Sequence, residues 1–259
     1  MTIIWTGLAP HPPIIVRSVG GARCREAQHT IDNMDLFAED LLAHRPDRVV
    51  LISPHTPRPK TGIAAWFGDQ ISGDFSRFGA PQTRLRFPLD RDWLNSFTAH
   101  YSDVSKLIDE PLDHGASAPL YFLDGAGWRG PTVVLGLPWD EGDELDRIGS
   151  AINACDDDKR TALIASGDMS HCLKEDGPYG FDSYGPIFDE AFVSHLKIGD
   201  YRGAMNLDWE LRQAARQDVV ESCRVVWAAS DFDHQNHHFY HYEGPFGVGY
   251  TVMRFRGES

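Results

Sequence analysis

Three histidines each follow a short apolar segment of the chain by a few residues. They are His11 after residues 2–7, His55 after residues 48–53, and His171 after residues 161–166. Imidazole nitrogens bind zinc, copper and iron, and histidine also titrates near neutral pH. Prolines beside the first two histidines stiffen the backbone that directs their side chains. The three residues could therefore hold a metal ion or transfer protons.

Two further segments contain candidate site residues. His114 lies in the sequence LDHGA at residues 112–116, just before a predicted helix, where Asp113 and His114 could equally be turn and cap residues. Residues 233–243 read DHQNHHFYHYE and contain four histidines and one glutamate, Glu243. If this segment is extended, alternate side chains, Glu243 among them, share one face of a strand. It could also be a polar loop or an edge strand that binds no metal.

The segments between these candidates alternate between strand and helix patterns. Continuous apolar and β-branched runs predict strands at residues 2–7, 48–53, 132–137, 161–166 and 247–256. The spacing of apolar residues predicts helices at residues 25–44, 92–100, 117–123, 141–154, 186–198 and 218–230. This order predicts an α/β fold with a central, mostly parallel β-sheet flanked by helices on both faces. Such sheets bind ligands beyond the carboxyl ends of their strands, so we expect the three histidines to lie together.

Length and charge limit the class of protein. The 259 residues suit one hydrophobic core, so we predict a single domain over residues 1–259. The net charge of −14 argues against binding to nucleic acid or to an anionic membrane, since both need clustered lysine and arginine. No apolar run approaches the roughly 20 residues of a membrane span, and the first residues lack the pattern of a secretion signal. The four scattered cysteines form no CxxC pair, so we expect a reduced, cytoplasmic protein.

Seven short motifs together resemble the LigB-like superfamily of class III extradiol dioxygenases. They are APHPP at 9–13, SPH at 53–55, DHG at 113–115, GDMSH at 167–171, GPYGFD at 177–182, FDE at 188–190 and YEGPFGVGY at 242–250. Each motif is weak alone, but their order and their span over nearly the whole chain make the set specific. The superfamily includes enzymes that cleave the rings of catechol and protocatechuate, and it also includes the Memo-like proteins.

The resemblance implies a site as well as a fold. By position in the motifs, His11, His55 and Glu243 match the ligands of a non-haem Fe(II) ion. His171 matches the catalytic base near the substrate hydroxyl, and His114 matches a second acid–base histidine. Memo-like relatives place a cysteine where this chain has Glu243, so the glutamate favours the dioxygenase.

The implied reaction is the opening of a catechol-type ring by O2. A diol bound to Fe(II) becomes more acidic, and a histidine is a suitable base for its proton. Relatives commonly form homo-oligomers, and some need a small partner subunit. Two alternatives stay open, namely a zinc hydrolase that uses the same histidines and a Memo-like metal-binding protein without dioxygenase activity. No motif identifies the diol, although Arg58 or Lys60 could bind a substrate carboxylate.

Overall fold

An eight-stranded mixed sheet forms the centre of this computed structural model, which describes residues 2–139, 142–155 and 157–258. The strands are β1 (Thr2–Ala9), β2 (Arg48–Ile52), β3 (Ile63–Trp66), β4 (Gln70–Phe75), β5 (Ala80–Pro88), β6 (Val104–Leu107), β7 (Thr132–Leu135), β8 (Arg160–Ser166), β9 (His238–Glu243) and β10 (Tyr250–Gly257). The order in the sheet is β6-β3-β7-β2-β8-β1-β10-β9, while β4 and β5 form a separate hairpin.

The pairing of the central strands determines which chain segments meet. Strand β8 pairs in parallel with β1 on one side and with β2 on the other, and β2 pairs in parallel with β7. The carboxyl ends of these four strands therefore lie at one edge of the sheet. Strand β10 is antiparallel to both β1 and β9, so β9 also ends at this edge, two strands away from β1.

Helices flank both faces of the sheet, as the sequence predicts. They are α1 (Arg17–Gly20), α2 (Gln28–Ala43), α3 (Arg91–His100), α4 (His114–Gly125), α5 (Asp143–Ala154), α6 (Tyr184–Lys197), α7 (Tyr201–Met205), α8 (Trp209–Ala215) and α9 (Val220–Ala229). Helix α2 packs against α4, and α5 packs against α9. Among the described residues, no helix combines the length and the apolar character that crossing a membrane requires.

The predicted, mostly parallel α/β fold is confirmed, but some strands and helices begin or end at residues other than those predicted. Strands β2 and β7 are buried along their whole length, which is why they read as continuous apolar runs. The last strand begins at Tyr250 rather than at residue 247, because residues 247–249 form hydrogen bonds with the loop after β8. The predicted helix at 141–154 is described from Asp143, and Glu141 lies outside the described residues. The single-domain organisation stays a prediction.

A buried arginine supports the amino end of β2, at the edge of the sheet opposite the histidines. Arg48 is fully buried, and its guanidinium donates hydrogen bonds to Thr161 and Asp90 inside the protein and to the carboxylate of Asp157. Lys159 also forms an ion pair with Asp90. Because Asp90 is itself buried, removing the arginine would leave the negative charge of its carboxylate only partly neutralised, by Lys159 alone.

We expect Arg48→Ala to lower the free energy of unfolding by about 3–5 kcal/mol, the usual cost of breaking a buried ion pair. Urea denaturation measures this change. The matched control is Arg17→Ala, which removes an exposed ion pair with Asp35 and should cost less than about 1 kcal/mol. Equal effects of the two substitutions would show that the Arg48 cluster does not stabilise the fold in this way.

Candidate metal centre

Parallel strands bring two of the predicted ligands to the same place. His11 follows the end of β1 by two residues, and His55 follows the end of β2 by three. Their Nε2 atoms lie 2.9 Å apart, and their rings are nearly perpendicular, with centroids 4.7 Å apart. His11 is buried, whereas His55 is exposed, so the pair lies at the base of an opening rather than inside the core.

His114 joins this pair from the first residue of α4. Ring nitrogens of His11, His55 and His114 all lie within 4.8 Å of one another. Asp113 caps the helix by accepting a hydrogen bond from the Ala116 amide. The cap and the site histidine are therefore adjacent residues with separate roles.

The start of α4 is fitted closely to the loop that carries His55. The Asp113 carboxylate accepts hydrogen bonds from Ser53 and Thr56, which flank His55 in that loop. A side chain at Gly115 would collide with the Ser53 hydroxyl and crowd the His55 ring. The DHG motif thus has two effects. Its aspartate holds the loop that carries His55, and its histidine, His114, lies beside His55.

A hydroxyl at the end of β8 selects the tautomer of His11. Ser166 Oγ donates its proton to the Gly115 carbonyl, which can only accept. It lies 3.0 Å from His11 Nδ1, so at this contact it must accept the Nδ1 proton. A neutral His11 therefore presents the lone pair of Nε2 to the centre, as a metal-binding histidine does.

Asp218 is a site residue that the sequence analysis missed. Its Oδ2 lies 3.5 Å from His11 Nε2 and 3.2 Å from His55 Nε2. The sequence reading placed it at the first position of a helix, where an aspartate is usually a cap. In the structure Gln217 fills that role, since its side-chain oxygen accepts hydrogen bonds from the amides of Val219 and Val220, where α9 begins. Asp218 is thereby free to face the histidines.

Negative charge from two aspartates controls the protonation of the centre. Burial alone would lower the pKa of His11, but Asp168 and Asp218 raise it to about 9. Burial would likewise raise the pKa of Asp218, yet His11 and His55 hold it well below its usual range. Burial, together with the nearby imidazoles, lowers the pKa of His114 to about 3, so this residue is neutral at neutral pH. His11, Asp168 and Asp218 are therefore arranged so that a positive charge between them is favoured.

The donor atoms are spaced as ligands of one ion would be. Donors bonded at about 2.1 Å lie roughly 3.0 Å apart at right angles and roughly 3.4 Å apart at tetrahedral angles. The three separations among His11 Nε2, His55 Nε2 and Asp218 Oδ2 are 2.9, 3.2 and 3.5 Å. Two imidazoles and one carboxylate also form the donor set typical of non-haem Fe(II). The residues therefore fit the predicted metal.

Glu243 lies at the same edge of the sheet but outside this cluster. Its Oε1 accepts hydrogen bonds from the amide and the hydroxyl of Thr30, in the first turn of α2. Ala27, which precedes that helix, provides no side-chain cap, so the glutamate supplies the missing acceptor and a favourable charge at the helix amino terminus. Its Oε2 lies 3.6 Å from His241. The role of Glu243 as a metal ligand stays a prediction.

His171 lies in the loop after β8, beside the cluster rather than within it. Its Nδ1 is buried and makes no hydrogen bond to any residue that the structure describes. The exposed ring of Tyr179 packs edge-on against it, with centroids 5.9 Å apart. Asp168 in the same loop accepts the His11 amide and interacts with His171 through its charge. The free ring nitrogen leaves His171 able to accept a proton from a ligand.

A buried carboxylate supports the loop that carries His171. Asp189 in α6 accepts hydrogen bonds from the Ser170 amide and from the Tyr242 hydroxyl. A side chain at Gly249 would collide with this carboxylate, which accounts for the glycine in the GVGY motif. Burial raises the pKa of Asp189 to about 7.

Comparison with known proteins gives a consistent family and fold. The chain matches the family described as the catalytic LigB subunit of aromatic ring-opening dioxygenase over residues 6–253. The Clostridium acetobutylicum protein CA_C1420 is 29% identical over 267 residues, which cover 97% of this chain and 57% of that relative. This chain thus spans little more than half of the relative's length. The crystal structure of the uncharacterized Escherichia coli K12 protein JW3007 is similar in fold, with a TM-score of 0.54 at 14% identity over 97% of this chain and 99% of that one.

We expect the stability of Asp189→Asn to depend on pH differently from that of the wild type. Between about pH 4 and pH 7 the folded protein keeps a proton on Asp189 that the unfolded chain has released. The free energy of unfolding of the wild type should therefore fall as pH rises, by at most about 1.4 kcal/mol per pH unit, relative to that of the variant. Denaturation at several pH values measures this difference. Parallel curves for the two proteins would contradict it.

Proposed function

Because this chain belongs to the family of catalytic LigB subunits of aromatic ring-opening dioxygenases, we propose that it is a non-haem Fe(II)-dependent extradiol dioxygenase. Its substrate would be a catechol-type diol, and O2 would be the second substrate. His11 and His55 would hold the iron together with one carboxylate. Asp218 is the carboxylate that lies beside both imidazoles, and Glu243 is the one that the sequence motif predicts.

One observation carries the proposal, namely that two imidazole nitrogens and one carboxylate oxygen converge within 3.5 Å of one another at the carboxyl edge of the sheet. A site of this composition leaves positions open on Fe(II) for further ligands. When bound, the iron would supply the activation of O2 and the acidification of the diol, which no side chain can provide. The protein's own groups bind, orient and move protons.

His171 is the proposed general base. Its Nδ1, which has no hydrogen-bond partner among the described residues, gives it a free position for the proton of a diol hydroxyl. His114 packs against one of the proposed metal ligands, with its ring centroid 4.0 Å from that of His55. Since its pKa is low, His114 would enter the reaction as a neutral imidazole and could protonate the departing oxygen only after it had itself received a proton.

The proposal is tested by O2 uptake of anaerobically Fe(II)-loaded protein that is offered catechol and protocatechuate. We expect uptake that depends on the diol, together with a yellow ring-fission product. Protein loaded with Zn(II) is the matched control and should take up no O2. If iron is bound at one equivalent and neither these nor related diols cause O2 uptake, the dioxygenase proposal is wrong.

A zinc hydrolase is the second candidate, and the third histidine is the observation that favours it. His11, His55 and His114 offer three imidazoles within 4.8 Å, a set that can hold a catalytic zinc with a bound water. Hydrolysis of an ester or phosphoester by the Zn(II)-loaded protein, with no O2 uptake by the Fe(II)-loaded protein, would favour this function.

The identity of the carboxylate ligand is tested by comparing Asp218→Ala with Glu243→Ala. We expect Asp218→Ala, like His55→Ala, to lower the affinity for Fe(II) more than about a hundredfold, because even outer partners of metal ligands contribute about 10–100-fold. Glu243→Ala should keep the iron and lose about 1 kcal/mol of stability, the usual value of a helix cap. Metal titration and denaturation measure the two effects. Loss of iron in Glu243→Ala alone would identify Glu243 as the ligand.

The role of His171 is tested by His171→Ala. We expect this variant to bind Fe(II) as the wild type does but to lose turnover by about 10²–10⁴-fold, the usual contribution of a general base. The matched control is His100→Ala, which removes an exposed histidine at the end of α3. Normal turnover in His171→Ala would remove His171 from the mechanism.

A further inference from the structure

The tip of the β4–β5 hairpin (residues 76–79) lies beside the metal centre. The ring of Phe78 packs edge-on against the ring of His114, with centroids 5.7 Å apart. His114 in turn packs against the proposed ligand His55, with centroids 4.0 Å apart. The tip closes with Gly79, whose φ of +80° lies in the left-handed region that glycine adopts without strain. A segment outside the main sheet therefore contributes a side chain next to the site.

Packing fixes the hairpin, and with it the tip, on helix α4. The large apolar side chains on the inner face of the hairpin are buried, namely Ile71, Phe75, Leu85 and Phe87. Phe75 packs against Tyr121 of α4, with ring centroids 6.3 Å apart. The amide of Leu112, two residues before His114, donates a hydrogen bond to the Ser72 carbonyl in β4. The hairpin and the start of α4 are thus held together, so the tip keeps its position beside the site.

Phe78 differs from these buried side chains because 38% of its surface is exposed. Hairpin turns are usually built from glycine, proline, asparagine, aspartate and serine, which suit the backbone conformation of a turn. A phenylalanine, by contrast, stabilises the fold mainly through the apolar area that it removes from water. The part of the ring that stays exposed, beside an imidazole of the centre, is therefore free to contact a bound molecule.

A second exposed ring lies against the other proposed acid–base histidine. Tyr179 is 60% exposed and contacts His171, with ring centroids 5.9 Å apart. Each of the two histidines that would exchange protons with the substrate thus has an exposed aromatic ring against it. Aromatic molecules pack favourably against such rings, so the surroundings of the site favour an aromatic ligand. Of the two rings, that of Phe78 contacts the histidine cluster itself, since His114 belongs to it.

We propose that Phe78 forms a wall of the substrate pocket, where its ring contacts the aromatic ring of the bound diol and limits the size of the substituents on it. This inference rests on the proposed function, since a diol bound to iron at His55 would lie next to His114 and to the ring packed on it. A flat ring would fit beside Phe78, whereas a bulky alkyl group would collide with it.

The test measures binding by calorimetry under argon, with the Fe(II)-loaded full chain and three ligands. They are catechol, 3-tert-butylcatechol and 4-tert-butylcatechol, which together place a bulky group at each kind of free ring position. The variants are Phe78→Ala, which removes the ring, and Phe78→Tyr, which keeps it. The matched control is Ile198→Ala, which removes a side chain that is 71% exposed at the end of α6. The neighbouring Lys197 carbonyl lies 3.2 Å from a ring nitrogen of His237, just before β9, so this control lies at the other edge of the sheet.

We expect Phe78→Ala to bind catechol about tenfold more weakly than the wild type at unchanged iron content, because an aromatic contact is lost. The wild type should bind at least one tert-butylcatechol about tenfold more weakly than catechol, and Phe78→Ala should remove most of that difference. Phe78→Tyr should keep the affinity for catechol, and Ile198→Ala should behave as the wild type. Unchanged affinities for all three ligands in Phe78→Ala, or loss of its iron, would overturn the proposal.

O2 uptake by the same samples separates this inference from the proposed function. Binding of catechol that depends on Phe78, without O2 uptake, would support the pocket wall and contradict the dioxygenase. O2 uptake with catechol, together with affinities that Phe78→Ala leaves unchanged, would overturn the wall and leave the dioxygenase proposal intact. Absence of catechol binding to the Fe(II)-loaded wild type would contradict both.

Discussion

The parallel pairing of β8 with β1 and β2 is the constraint on which the rest of the site depends. The carboxyl ends of the three strands lie at one edge of the sheet. The residues that follow them are therefore close together, and no long flexible loop is needed to bring them into contact. His11, His55 and the Ser166 hydroxyl come from these three strand ends, and His171 from the loop beyond β8. A slip of register in any of these strands would reverse the direction of its side chains and dismantle the cluster.

Charge then determines what the cluster can hold. His11 is buried between two aspartates, and its raised pKa shows that the folded chain favours a cation at this point. The nearby hydroxyl fixes the tautomer of His11, and the Asp113 carboxylate fixes the loop of His55. The donor atoms are therefore oriented by their own hydrogen bonds, which lowers the cost of assembling a metal site.

Much of this arrangement could be predicted from the sequence, because it follows from strand periodicity and strand ends. The runs at residues 2–7 and 48–53 predict strands of a mostly parallel sheet, and His11 and His55, which follow them, do lie together. Asp218 could not be found in this way, since it follows no strand and an aspartate at a helix start usually caps it. Glu243 shows the opposite difficulty, because its motif predicts a ligand while its carboxylate accepts hydrogen bonds from Thr30 at the start of α2. Only the three-dimensional contacts distinguish these two carboxylates.

The most direct test of this account is to locate the metal itself by anomalous diffraction from crystals of the Fe(II)-loaded protein. The account predicts one strong peak within bonding distance of the Nε2 atoms of His11 and His55, with a carboxylate completing the triad. A peak among the histidines of residues 234–241, or no ordered ion beside His11 and His55 in crystals of protein that contains iron, would contradict it.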